Sequence, residues 1–111
     1  MSLSDERAVP SPRRLTRLSD AEVSVLLGQL HVDWKLVEGH LVRSFAFPDF
    51  KSALELVNRV GAVAEAEGHH PNVSLGWGRV ELEFWTHDAG GLTRADFVLA
   101  AKCDRLREGA R

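Results

Sequence analysis

Between Glu65 and His87 the chain gathers the side chains best suited to moving protons near neutral pH. Glu65 is followed by the pair His69-His70 and Pro71, then by Trp77 and His87, and this stretch holds three of the five histidines. Imidazole is the side chain whose ordinary pKa lies nearest neutrality, so such a cluster fits general acid–base chemistry or metal binding. Glu65 stands four residues before His69, where a helix end brings a carboxylate toward an imidazole and favours its protonated form. Taken singly, these residues have plainer readings. A His-His pair before proline is ordinary turn chemistry, and a glutamate on a helix turn is usually a solvated charge. A zinc site made of His69, His70 and His87 needs three converging ligands and an open position. Adjacent histidines tend to point apart, and no nearby cysteine or further spaced histidine completes the set, so no metal is expected. His31 and His40 lie outside the pattern.

The elements that must carry this stretch can be read in order. Ser19 and Glu22 form a capping-box pattern, Leu18 and Val23 a hydrophobic staple, and Val23, Leu26, Leu27 and Leu30 one helical face, predicting a helix that ends near Leu30. Trp34 to Glu38 and Leu41 to Phe47 read as strands of an antiparallel hairpin around Gly39, the second alternating except at Arg43. Pro48 and Asp49 stop that strand and start the longest helix, with a stripe of Phe50, Ala53, Leu54, Val57, Val60, Gly61 and Ala64 and a terminator in Gly68. Val73 to Trp77 and Arg79 to Thr86 form a second strand pair, in which Val80, Leu82 and Phe84 share a core face and Glu81, Glu83 and Trp85 the other. Thr93 and Asp96 make a further capping box ahead of Phe97, Ala100, Ala101 and Leu106. The order α-β-β-α-β-β-α predicts an α+β fold, a four-stranded antiparallel sheet with three helices packed on one face.

Composition bounds the rest. A chain of 111 residues, 44% hydrophobic and 27% charged, holds one globular domain, read here as residues 18–108. Residues 1–17 carry Pro10, Pro12 and four arginines without periodicity and are predicted to be a disordered tail, either solvated or a docking arm for an acidic partner. A net charge of -2 and a pI near 6.2 leave no basic footprint, so direct nucleic-acid binding is not expected. No apolar run approaches the ~20 residues of a membrane span. One cysteine, Cys103, favours a reducing cytoplasm. A domain this small has a modest core, and a homodimer or homotetramer is expected. Trp85 beside Glu81 and Glu83 fits an interface anchor with a polar rim; a place in a ligand pocket beside His87 weighs equally.

Glu65, three residues, His69-His70-Pro71, five residues, Trp77, nine residues, His87, eight residues and Asp96 together resemble the signature of the pterin-4a-carbinolamine dehydratase family. Trp34-Lys35-Leu36-Val37-Glu38-Gly39, Phe45-Ala46-Phe47-Pro48-Asp49-Phe50 and Gly90-Gly91-Leu92-Thr93 are similar to it at matching intervals, so the resemblance runs from about Leu18 to Leu106. The joint spacing reverses the plain reading of the histidines. The resemblance implies loss of water from a 4a-hydroxytetrahydropterin to give the quinonoid dihydropterin, in recycling the reduced pterin used by aromatic amino-acid hydroxylases, whose pathway would supply a partner. His69, His70 and His87 take the catalytic places by this resemblance, and Glu65, Thr86, Asp96 and Trp34 the substrate-binding ones. Imidazoles can protonate the leaving hydroxyl and deprotonate the neighbouring ring nitrogen without metal or cofactor. For Asp96, capping a helix explains the residue as well as a pocket role does. Gly68, Val73 and Trp85 depart from the family pattern and leave the pterin side chain open. Two other readings follow from the same resemblance: a binding, dimerisation or assembly factor, and a dehydratase for another pterin such as a molybdenum-cofactor intermediate.

Overall fold

The computed structural model describes residues 2–9 and 15–109. Three helices, α1 (Asp20–Leu27), α2 (Phe50–Glu67) and α3 (Arg94–Gly109), alternate with strands β1 (Lys35–Val37), β2 (His40–Ala46), β3 (Asn72–Gly76) and β4 (Arg79–Phe84), and short 3-10 turns occupy Leu3–Asp5 and His87–Ala89. The strands form one antiparallel sheet in the order β1-β2-β4-β3. This is the α+β arrangement expected from the sequence, in the expected order. No helix among the described residues is long and apolar enough to cross a membrane.

Local chemistry sets the boundaries. Ser19 Oγ accepts from Glu22 N at 3.1 Å and Glu22 Oε1 accepts from Ser19 N at 2.8 Å, closing the capping box of α1. The helix ends at Leu27, short of Leu30, because Gln29 and Leu30 bond three residues back and tighten the chain out of the α form. Glu38 and Gly39 both hold positive φ, 51° and 79°, the geometry of a two-residue turn whose twist matches its flanking strands. Asp49 caps α2 by accepting from Ser52 N at 2.7 Å, and that bond holds its carboxyl below the usual range. The buried stripe of α2 is Ala53, Leu56, Val60 and Ala64, while Phe50 and Leu54, expected in that stripe, are exposed. Both stripes have helical spacing, and only the position of the sheet selects between them.

The core lies between one sheet face and the helices. Leu41 and Phe45 of β2 and Val80, Leu82 and Phe84 of β4 point into it. Arg43, which was expected to break the alternation, keeps it: the residue lies in phase with Leu41 and Phe45, with its guanidinium 4.3 Å from the Phe45 ring centre. Its Nη1 donates to Asp104 Oδ1 at 2.5 Å, and the Trp34 indole N–H donates to the same carboxylate at 2.9 Å. The Trp34 N–H adds to the support a buried ion pair needs, while the buried Arg43 Nε has no hydrogen-bond partner among the described residues.

Residues 2–9, part of the stretch 1–17 expected to be a disordered tail, are packed in this structure; residues 1 and 10–14 lie outside the described part. Leu3, 4% exposed, and Ala8 join the core, and the segment packs along α3. Glu6 takes both Arg94 Nε and Nη2 at 2.7 Å, Lys102 Nζ donates to Ser4 O at 2.9 Å, and Ala8 N donates to Glu67 Oε1 at 2.8 Å. The apolar content is too sparse for periodicity to reveal, and the partners are far away in sequence. Burying one leucine side chain is worth about 1.5–3 kcal/mol, so Leu3→Ala is expected to destabilise the fold by roughly 2–5 kcal/mol, read as the shift of a urea unfolding midpoint.

Cys103 is buried in α3, where desolvation first and the Asp104 carboxylate second push its thiol pKa up to about 12. The folded thiol therefore keeps its proton well past about 8.5, where an unfolded thiol ionises. Stability should fall as pH rises above that unfolded value. Iodoacetamide at pH 8 should leave the native protein unlabelled and label it once in denaturant, as mass spectrometry would read.

Candidate active site

The end of α2 aims the histidine pair. Gly68 adopts the left-handed conformation, φ 70°, and the N–H groups of Gly68 and His69 both reach back to Ala64 O, at 2.9 and 3.3 Å. This cap reverses the chain, and glycine takes it without the strain a Cβ would add. The reversal turns His69 toward the start of α3, where its Nε2 lies 2.6 Å from Asp96 Oδ1. The His69 ring lies nearly parallel to Phe84, centroids 6.5 Å apart, and its side chain is 12% exposed.

Asp96 is wholly buried and fully engaged. Its Oδ2 accepts from Thr93 N and from Thr86 Oγ1, both at 2.9 Å, while Oδ1 faces His69. Thr86 spends its single hydroxyl hydrogen on Asp96, so in the 2.8 Å contact between the two threonine hydroxyls Thr93 is the donor. The two readings of Asp96 from sequence are one arrangement: the carboxylate that caps α3 through Thr93 N also holds His69. A carboxylate only accepts hydrogen bonds, so Asp96 selects the His69 form with hydrogen on Nε2 and leaves Nδ1 for exchange with a bound molecule.

The same carboxylate also holds the residue next to the third histidine. Thr86 pairs with Gly91 as an isolated bridge, with N–H···O distances of 3.0 and 3.4 Å, and pinches off the turn His87–Ala89. β3 and β4 are antiparallel, with Asn72 opposite Glu83, so the residues just before β3 and just after β4 leave the sheet at one end. Asp96 joins them by holding residue 69 directly and residue 86, the neighbour of His87, through its hydroxyl. His87 is exposed, and its imidazole has no hydrogen-bonding partner among the described residues. His70, also exposed, pairs through Nε2 with Glu65 Oε2.

Two placements differ from expectation. Glu65 meets His70 and not His69, because the left-handed cap carries His69 away from the helix axis toward Asp96. Trp34 is 2% exposed, with its indole N–H committed to Asp104 and its ring 6.0 Å from Phe84. The ring of His69 lies against the same Phe84, and Trp34 also lines a cavity with His31, Val32 and Leu36. Thr93 was legible as a helix cap, but its tie to Thr86 was not. His40, set aside in the sequence, stacks on Trp85 with centroids 4.2 Å apart and an interplanar angle of 4°, and its Nδ1 lies 2.6 Å from Glu83 Oε2. The register between β2 and β4, which sets Leu41 opposite Phe84, places His40 beside Trp85. A cavity of about 280 Å³ beside His40 is lined by Arg17, Glu38, Gly90 and Gly91 among others, and none of the three clustered histidines lines it. Among the described residues no group of three His, Cys, Asp or Glu side chains is placed to hold a metal ion.

Comparison with known proteins places the fold among its relatives. A protein from Rickettsia bellii (strain OSU 85-389), whose inferred name is pterin-4-alpha-carbinolamine dehydratase, is 42% identical over 107 residues, covering 96% of this chain and 95% of its own length. One of the same inferred name from Chlorobium limicola is 50% identical over 105 residues, covering 91% and 92%. The fold is similar to the crystal structure of a transcriptional coactivator/pterin dehydratase from Brucella melitensis, with a TM-score of 0.77 at 30% identity over 82% of this chain and 98% of that one. It is less similar to a pterin dehydratase-like protein described as a RuBisCO assembly factor in the alpha-carboxysome, with a TM-score of 0.58 at 25% identity over 68% of this chain and 90% of that one. The family model for pterin 4 alpha carbinolamine dehydratase matches residues 16–106, and with the histidines, Asp96 and the sheet order in place, the chain belongs to that family.

Proposed function

We propose that the chain dehydrates a 4a-hydroxytetrahydropterin to the quinonoid dihydropterin by histidine acid–base catalysis. In this reaction the C4a–O bond breaks, one proton joins the leaving oxygen to make water, and one proton leaves the adjacent ring nitrogen. Two groups that exchange protons near neutral pH are sufficient. The observation that carries the reading is the Asp96 carboxylate, which holds His69 in one hydrogen-bonded form and anchors Thr86 next to His87. In this reading Asp96 and Thr86 act through His69 and the His87 turn, and Glu65 orients His70 in the same way. Trp34 supports the site from behind Phe84. The substrate would come from an aromatic amino-acid hydroxylase pathway, and the site needs no metal or organic cofactor. A reducing, cytoplasmic setting fits the buried thiol of Cys103.

A second reading, a non-catalytic assembly or binding factor, has support in the likeness to the RuBisCO assembly factor. The histidine set, with carboxylate partners for His69 and His70, favours catalysis.

Purified protein should accelerate dehydration of a synthetic 4a-hydroxytetrahydropterin, with chelator present or absent, in a stopped-flow absorbance assay. A rate equal to buffer would leave the assembly reading in place of the enzymatic one. His69→Ala and His87→Ala should each lower kcat/KM by about 10²- to 10⁴-fold while circular dichroism stays that of the parent.

The same reading extends to a homodimer or homotetramer. The sheet face away from the helices is open, and Trp85 lies there, stacked on His40. Light scattering at micromolar concentration should return a multiple of 12.3 kDa; a monomer mass would refute assembly. Trp85→Ala then tells an interface, where mass falls, from a pocket wall, where substrate binding weakens with mass unchanged.

A further inference from the structure

The contacts of residues 3–8 land beside the two residues that form the buried imidazole–carboxylate pair. Glu67, two residues before His69, accepts from Ala8 N at 2.8 Å through Oε1, and its Oε2 lies 3.8 Å from Lys102 Nζ. Arg94, two residues before Asp96, makes the two-pronged 2.7 Å contact with Glu6. One short stretch of chain thus ties the last turn of α2 to the first turn of α3, and His69–Asp96 closes the same gap directly. Leu3 and Ala8 anchor the stretch in the core, and Lys102 and Arg105 hold Ser4 and Asp5 along α3.

Electrostatics at these positions is telling. A carboxylate in the last turn of a helix faces the negative end of the helix dipole, an unfavourable place unless donors meet it. Glu67 is there, and its compensation comes from Ala8 N–H and Lys102, outside its own helix. The two-pronged Glu6–Arg94 contact is the geometry that gives arginine pairs directional hold. Within that pair Arg94 lowers the Glu6 carboxyl pKa and Glu6 raises that of the Arg94 guanidinium. The family model begins at residue 16, whereas the alignment to the Rickettsia relative takes in 96% of the chain, and so most of the segment before that point.

We infer that residues 3–8 are a strap that sets the His69–Asp96 contact, with Glu67 and Arg94 as its positioning residues. Without the strap the α2 end and the α3 start keep only their direct packing, and the imidazole loses its fixed aim at Asp96. An error of about 1 Å in such an aim can cost on the order of 10²-fold in rate. The structural part of the inference stands apart from the proposed reaction; the effect on turnover rests on it.

The test uses the full chain labelled with ¹⁵N. The imidazole proton shared between His69 Nε2 and Asp96 is identified as the downfield resonance lost in His69→Gln, and its exchange rate with water is measured well below the melting temperature. Glu67→Ala and Glu6→Ala should each speed that exchange about tenfold or more and shift the resonance upfield. Glu67→Gln should preserve both, because an amide oxygen still accepts from Ala8 N. The reversed pair, Glu6→Arg with Arg94→Glu, should restore what Glu6→Ala loses. Turnover of the 4a-hydroxypterin should fall about tenfold in kcat with KM little changed in the same variants. If Glu67→Ala fails to fold, Glu6→Ala at the more exposed pair decides. An unchanged resonance and exchange rate in the alanine variants, with only a lowered melting temperature, would overturn the inference and make the segment a simple clamp. Perturbed His69 signals in a protein that never turns over substrate would sustain the strap and remove the dehydratase reading.

Discussion

A carboxylate with no access to water must find its hydrogen-bond donors inside the protein, and in this fold Asp96 finds three from three separate stretches of chain. Thr93 N–H comes from its own helix start, the Thr86 hydroxyl from the end of β4, and the His69 imidazole from the turn after α2. Leaving one out would cost on the order of 1–3 kcal/mol, and more for a charged group. The energetic demand of one buried group therefore doubles as the device that gathers the candidate catalytic end of the sheet. It also explains why the Thr86–Gly91 bridge closes where it does: the strand must stop with its threonine side chain directed inward, and the next residue, His87, is then turned out into a tight loop.

A second buried carboxylate does comparable work farther along α3. Asp104 collects the Trp34 indole and the Arg43 guanidinium, the one from the link ahead of β1 and the other from the middle of β2. Trp34 and His69 flank Phe84, so this second cluster forms the floor behind the first. α3 thus carries two acidic residues, Asp96 and Asp104, two turns apart, each of which fastens distant sheet segments to the helix. A catalytic imidazole is well served by such a floor, because a side chain packed against rigid neighbours loses less freedom when substrate arrives.

The elements themselves were plain in the sequence because their signals are local. Capping boxes, a positive-φ glycine after a helical stripe, and alternation of apolar residues along a strand depend on neighbours within a few positions. Such signals placed all four strands and all three helices in the right order, with the ends of α1 and β4 two or three residues too long. The same locality accounts for the errors. Phe50 and Leu54 fit a helical stripe as well as Leu56 does, and Arg43 reads as an interruption until a buried partner some sixty residues later is known. Residues 2–9 look unable to pack because the sequence nearby offers them nothing to pack against, while α3 does.

For the site, the residue types and their joint spacing were sufficient to single out His69, His70, His87, Glu65 and Asp96 and, by resemblance, to name the family. Composition and periodicity likewise determined an α+β fold with one four-stranded sheet. Tertiary structure alone decided which carboxylate serves which imidazole: Asp96 takes His69 across the fold, and Glu65 takes His70 within one turn. It also decided that Trp34 lies behind the site, that His40 stacks on Trp85, and that the N-terminal segment spans the α2 and α3 ends. The physical reason is the same in each case. Spacing along a chain fixes what neighbours within a helix or strand can do, whereas a pairing between distant segments depends on how whole elements pack, and that is settled by burying apolar faces while finding partners for buried polar groups such as the Asp96 and Asp104 carboxylates.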